Sequence, residues 1–346
     1  MKEKIRVDVR KAFACASFLT AGMTVGLASA SAEPLQDKRS IWTLQGENDA
    51  VSTQSGTSDR YYTSGLRFNW TSGTDTLPGP FATINRAILG KGMQRISVGV
   101  QQMIFTPSDT QTPNPLPTDR PYAGVLLGTV NLINDTNLSR GVFGIQFGVM
   151  GPASMARQVQ NGFHDLIGDT ENKGWKHQLA NQPIFQVQYG RTWRLPLATI
   201  GSRSSGVSFD MLPAASAMVG DYRIAGTVGD TLRFGQGLDS DFGLPTINGG
   251  PVATDAYVAT RPFAWYLFGG VTGTAVGYDA TLEGNTVRSN SPHVNKKWDV
   301  GEIHAGLAVM FYGLRVSYSQ VWQTQEFSTA KSGLFNYGSL MVSAKF

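Results

Sequence analysis

Past residue 32, no stretch of this chain is apolar for long enough to make a spanning helix; apolar and polar side chains instead alternate in short runs. About twelve segments carry that period of two: 40–48, 61–72, 94–105, 124–134, 141–150, 183–194, 205–217, 221–233, 262–277, 298–311, 313–326 and 336–346. In the second, Leu66, Phe68 and Trp70 share a face opposite Arg67, Asn69 and Thr71. In the tenth, Ile303, Ala305, Leu307, Val309 and Phe311 oppose Glu302 and His304, and in the eleventh Leu314, Val316 and Tyr318 oppose Arg315, Ser317 and Ser319. The sixth is less clean, because Arg191 falls on the face of Phe185, Val187 and Tyr189. Such strands suit a closed barrel with lipid outside and a polar interior, where each backbone group pairs with a neighbouring strand. The expected fold is therefore all-β: a twelve-stranded antiparallel transmembrane β-barrel, with a short helix in an extracellular loop.

The start of the chain reads as an address. Lys2, Lys4, Arg6, Arg10 and Lys11 precede an apolar or small-residue run, Ala12 to Ala28, and Ala30-Ser31-Ala32 is a small-x-small cleavage site. Residues 1–32 are thus expected to be a cleavable signal peptide and 33–346 the barrel domain. Five of the 29 basic residues fall in that leader against two of the 25 acidic ones, so the rest is near neutral and gives no reason to expect nucleic acid. The one cysteine, Cys15, also lies in the leader, which leaves no thiol for a disulfide, a thiolate metal site or a nucleophile in 33–346.

If the first strand runs outward, Trp42, Trp70, Trp193 and Trp265 fall near the inner interface and Trp298 and Trp322 near the outer one, as aromatic girdles require. The chain ends on an aromatic residue, Phe346, at the close of its last strand. Loops after odd strands then face outward, and 49–60, 106–123 and 151–182 hold nearly all the residues that look chemical. The segment 234–261, after the eighth strand, is long for a periplasmic turn.

Glu47-Asn48-Asp49 ends the first strand, and Asp59-Arg60-Tyr61-Tyr62-Thr63-Ser64-Gly65 opens the second. Hairpin closure brings Asn48 and Asp49 towards Thr63, an oxygen set a hard cation such as Ca²⁺ accepts, although the same residues are ordinary turn chemistry. Prolines 107, 113, 115, 117 and 121 stiffen the next loop, which runs into Asp119-Arg120-Pro121-Tyr122-Ala123-Gly124. After Gly151-Pro152, Met155 to Ile167 reads as a helix closed by Gly168. Gln160 and His164, four apart, share one face, while Phe163 and Ile167 project from an adjoining one; the helix is expected to lay an apolar side on the rim. A histidine there can take a proton from water, or can simply pack. His177, His293 and His304 have no comparable company. Gly-x-Ser-x-Gly, His-Glu-x-x-His and Walker-type signatures are missing from the sequence, so chemistry here would be driven by histidine, with or without a metal.

At these residues the chain resembles the outer-membrane lipid A 3'-O-deacylase family, the LpxR type. The resemblance rests on Glu47-Asn48-Asp49, Tyr62-Thr63-x-Gly65, Gln102 to Pro107, Asp119 to Gly124, and Gly151-Pro152 through Gln158-Val159-Gln160 and His164 to Gly168 and Trp175. It implies a monomeric enzyme in the outer membrane of a Gram-negative cell, facing the extracellular leaflet. The implied reaction is hydrolysis of the ester-linked 3'-acyloxyacyl group of lipid A in lipopolysaccharide, with Ca²⁺ as cofactor. It also implies His164 as the base, Asn48, Thr63 and Gln160 as its catalytic company, and Asp49 near the metal. Where members carry a metal-binding glutamate six residues after the histidine, this chain has Thr170, so Glu171, one further on, is the expected second ligand. A basic residue expected to meet lipid A phosphate has no counterpart within Ser108 to Pro117, and Arg120 or Arg157 stands in for it. A phospholipase or other lipid esterase with the same site, and a catalytically silent barrel acting as channel or surface binder, are the competing readings.

Overall fold

Alternation becomes a closed wall. The computed structural model describes residues 35–51, 59–202, 206–286, 288 and 290–346. The predicted signal peptide, residues 1–32, lies outside them. The strands are β1 (Ile41–Asn48), β2 (Tyr61–Thr71), β3 (Met93–Thr106), β4 (Ala123–Asp135), β5 (Ser139–Met150), β6 (Gln182–Trp193), β7 (Leu195–Ile200), β8 (Val207–Met211), β9 (Ala214–Gly220), β10 (Arg223–Gln236), β11 (Phe263–Asp279), β12 (Asp299–Phe311), β13 (Leu314–Gln323) and β14 (Phe335–Lys345). All pair antiparallel, and β14 returns to β1 over Asn48↔Gly338 to Ile41↔Lys345, which closes the ring. β7 prolongs β6, and β8 and β9 are two halves of one wall strand, each pairing with β10. Leu212 and Pro213 keep that break in register through Leu212 N–H to the Thr231 carbonyl and Trp193 N–H to the Pro213 carbonyl. The wall thus has twelve strand positions, as expected.

The faces sort as the alternation requires. On β1, Thr43, Gln45 and Glu47 are buried inside while Trp42 and Leu44 are exposed. On β13, Arg315 and Ser317 are buried while Leu314 and Val316 face out. The strand registers set Trp42, Trp70, Trp193 and Trp265 at the end where β1 starts and β14 finishes, here the lower rim, and Trp298 and Trp322 at the upper rim. Arg191, the misfit of β6, does sit on the outer face. Its Nη2 donates to the Leu89 carbonyl at the end of helix α1 (Gly79–Leu89), 3.1 Å away, so it caps a helix C-terminus.

The long lower connection, residues 237–262, is a plug and not a turn. It climbs inside the barrel until the amides of Ile247 and Asn248 donate to Glu47 at 2.9 and 3.3 Å, close under the upper rim. On the way Asp255 accepts from Asn69 at 3.0 Å, and the guanidinium of Arg140 donates to the Ala256 carbonyl at 2.7 Å. Asp241 holds two wall arginines, Arg233 at 2.6 Å and Arg315 at 3.0 Å. Buried wall charges need partners, and this segment supplies them. Its length, odd for a turn, follows from that duty.

Candidate active site

The candidate residues gather outside the wall. Helix α2 (Ala156–Ile167) lies against the outer face of β3 and β4 at the upper rim. Ile104, which shares its face with the lipid-facing Val98 and Val100, packs with Tyr122, Ala156 and Trp175 in a buried cluster. Gln102 donates to the Ser154 carbonyl at 2.6 Å. Contact this close needs Gly124, where an added Cβ would lie 2.2 Å from both the Ala156 Cβ and the Ser154 Oγ. The helix turns Ala156, Gln160, Asn161 and His164 towards the protein and leaves Met155, Val159, Phe163, Leu166 and Ile167 exposed. The expectation of an apolar side laid on the rim is therefore corrected: small and polar residues make that contact, because Gly124 admits only a small partner and Asp59 offers a charge to pair.

Asp59 is the hub. Its Oδ2 lies 3.1 Å from His164 Nε2, its Oδ1 accepts from Gln160 Nε2 at 2.9 Å, and Asn172 Nδ2 donates at 3.4 Å. Gln160 is held the right way round by Trp175, whose Nε1 donates to Gln160 Oε1 at 3.0 Å. Asp59 has φ +55°, a left-handed conformation that aspartate tolerates better than most residues. Its carbonyl accepts from Thr106 Oγ1 at 2.9 Å, and Thr106 in turn meets Thr63 Oγ1 at 2.7 Å. A bulge between Tyr62 and Ser64 re-aims this part of β2, so that Tyr62 reaches inward to Glu47 at 2.8 Å while Thr63 meets Thr106. On its other nitrogen, Nδ1, His164 is 2.7 Å from the Thr170 carbonyl. With Nδ1–H donating there, a proton gained at Nε2 is met directly by the Asp59 carboxylate.

Asp49 lies beside this group in a short 3-10 turn, Asp49–Val51. Its Oδ2 accepts the Arg60 amide at 2.8 Å, whereas its Oδ1 is buried with no partner among the described residues. Burial pushes this carboxyl well above the usual range, and the nearby Asp59 charge adds to the rise while the Arg60 amide opposes it. A buried, orphaned, hard anionic oxygen next to a second carboxylate is the chemistry a calcium ion satisfies. The fit is through Asp49 and not through Glu171. Glu171 is exposed, with its backbone carbonyl accepting from Gln111 at 3.5 Å, and among the described residues no three His, Cys, Asp or Glu side chains gather as a metal cluster.

His164 and Gln160 thus meet at one carboxylate, with Thr63 joined through Thr106 and Asp49 through the Arg60 amide. Asn48 accepts the Ala50 amide at 2.6 Å, which is turn chemistry. Arg120 is not free for an anionic headgroup: it is buried, ion-paired with Glu326, bonded to Thr281 at 2.8 Å and set over the Phe105 ring. Arg157 stays exposed on α2. Asp59 and Thr106 were missed as site residues, although Asp59 opens the very stretch that carries Thr63.

The sequence model of the family described as "Outer membrane protein LpxR" matches residues 13–346. The chain belongs to that family. It is similar in structure to LpxR from Salmonella typhimurium, with a TM-score of 0.71 at 22% identity over 89% of this chain and 100% of that one. Weaker likeness extends to the β domain of the Bordetella autotransporter BrkA, with a TM-score of 0.40 at 11% identity over 90% of this chain and 100% of that one. No curated protein sequence matches the chain. Like the family it belongs to, this LpxR-type barrel is an outer-membrane protein, and its outward apolar belt is the surface that lipid covers.

Proposed function

We propose that this LpxR-family barrel is a lipid A 3'-O-deacylase, a carboxylic ester hydrolase that cuts the ester-linked 3'-acyloxyacyl group with Ca²⁺ as cofactor. The observation that carries the reading is the place of His164. It is buried between Asp59 and the Thr170 carbonyl, on the outside of the wall, next to the belt that holds lipid. A lipid ester can reach such a histidine without leaving the membrane. This reading puts the site at the extracellular leaflet, and its place at the rim opposite the start of β1 and the end of β14 supports that.

In this reading the His164–Asp59 pair takes the proton from water, and the carboxylate stabilises the charge on the imidazole, while Gln160 keeps Asp59 aligned. The water oxygen attacks the ester carbonyl, and the proton passes on to the departing alkoxide. Asp49 would hold the calcium ion together with backbone carbonyls and solvent. When bound, the ion supplies positive charge for the oxygen that becomes anionic in the transition state. Thr63 and Thr106 position Asp59 through its carbonyl. A phospholipase reading would use the same residues, and the plug that fills the lumen argues against a channel. Mass spectrometry of lipid A and phospholipids from cells carrying the wild-type chain or His164→Ala tests all three. Loss of the 3'-acyloxyacyl mass with the wild type alone supports the reading. Intact lipid A with new lysophospholipid replaces it, and no lipid change with either chain refutes it.

A further inference from the structure

Two helices are packed on the outside of one stretch of wall, one at each rim. Helix α2 meets the upper end of β4 at Gly124, and helix α1 meets its lower end, where Asn85 Nδ2 donates to the Ile133 carbonyl at 2.9 Å. Each carries exposed apolar residues at helical spacing. In α2 they are Val159, Phe163 and Leu166 at 45%, 52% and 82% exposure, and in α1 Phe81, Ile84 and Ile88 at 47%, 48% and 40%. At about 100° per residue these stripes lie roughly a quarter to a third of a turn round from the face that each helix buries. Gln158 and Asp165 in α2, and Thr83 and Arg86 in α1, take other flanks. A helix with one flank on protein, one apolar and one polar has the build of an interfacial helix.

The spacing says what covers the stripes. Gly124 and Ile133 are nine residues apart, about 30 Å along a strand and about 23 Å along the axis of a barrel tilted near 40°. The outward apolar band of such barrels is about 25 Å tall. The two helices therefore bracket the band in which Val98, Val100, Phe147 and Phe185 are exposed on the wall. We infer that α1 and α2 are seated in the two lipid interfaces, each with its apolar stripe in the acyl region beneath the headgroups. Together they fix the depth of β3–β5 in the bilayer. Resting on the deacylase reading, α2 then also sets the level at which His164, the neighbour of Phe163, meets the lipid ester.

The chain's one cysteine is Cys15, in the predicted leader, so single cysteines elsewhere can be labelled cleanly. Nitroxides at Val159→Cys, Phe163→Cys and Leu166→Cys, and at Phe81→Cys and Ile88→Cys, would be measured in phosphatidylethanolamine–phosphatidylglycerol vesicles. These labels should collide with oxygen more than with an aqueous nickel chelate, and labels at Gln158→Cys, Asp165→Cys and Thr83→Cys should do the reverse. Equal access of the chelate to stripe and control positions overturns the inference. That result requires no catalysis, so it decides the membrane seating whether or not the chain deacylates lipid A. For the level of His164, Phe163→Asp with Leu166→Asp should cut turnover of vesicle-embedded lipid A about tenfold while turnover in detergent micelles stays within about twofold. Equal loss in both formats, or loss in neither, overturns the role in depth.

Discussion

Gly124→Ala tests whether the fit of α2 on the wall sets the chemistry. The new methyl would lie 2.2 Å from the Ala156 Cβ, which moves only with the helix, and 2.2 Å from the Ser154 Oγ, which is tied to the Gly151 carbonyl at 2.6 Å. Carbon atoms rest at about 3.5–4.0 Å, so the start of α2 must retreat by about 1.3 Å or more. His164 is carried on the same helix, two turns on, while Asp59 is anchored to the wall through Thr106. A displacement of about 1 Å at a reacting group can cost on the order of 10²-fold, so kcat/KM should fall by about that factor. Alanine is acceptable in a strand, and the β4 ladder with β3 and β5 is untouched, so heat-modifiable migration on gels should stay as in wild type. Adding Ala156→Gly removes the rigid carbon of the clash, leaves only the rotatable Ser154 hydroxyl, and should return about tenfold or more of the lost activity, at up to about 1 kcal/mol of helix stability. Single-variant activity within about threefold of wild type would refute this account of the site. So would a double variant no better than the single one.

His164→Ala should lower deacylation by about 10²–10⁴-fold with the barrel intact, because α2 lies outside the paired wall; lipid A mass spectra together with gel migration check both halves. Chelation should silence the enzyme without unfolding it, with calcium restoring activity better than magnesium, and Asp49→Ala should raise the calcium required. The carboxyl of Asp49 is held high by burial and must give up its proton to bind a cation, so calcium affinity should weaken as pH falls, which calorimetry at several pH values would show. Deleting residues 243–254 should open stepwise conductance in planar bilayers where the wild type shows none; a silent deletion variant that still folds would contradict the plug. Arg120→Met leaves Glu326 buried without its partner and should cost about 3–5 kcal/mol, seen as a lower Tm, and an unchanged Tm would remove that pair from the stability of the rim.

The wall was legible because a lipid-facing barrel writes its geometry into every second residue. The twelve positions, the sorting of the tryptophans and the outward helix near Met155 to Ile167 all came from that rule and from Pro and Gly punctuation. Helix α1 has similar punctuation, Pro80 and Gly90, in a connection that strand alternation leaves unread. Arg191 makes the sixth segment less clean because its partner, the Leu89 carbonyl, is 102 residues away in sequence. The stretch Glu47-Asn48-Asp49 reads as one motif, yet the end of β1 splits it: Glu47, in the strand, anchors the plug inside, while Asp49, in the 3-10 turn that follows, lies beside the outer group.

Local spacing thus determined the fold class, the membrane-facing surface and the residue types available for chemistry, since period and turn preference act over a few neighbouring residues. Only the tertiary structure decided that 237–262 fills the lumen, that Asp59 joins His164 to Gln160, that Glu171 stays out in solvent and that α2 turns its apolar flank away from the rim. Each of those depends on which distant side chains must share a buried charge or a missing Cβ, as Asp241 does with Arg233 and Arg315, and as Gly124 does with Ala156. Partners of that kind are set by closure of the ring, and alternation along a single strand carries no record of them.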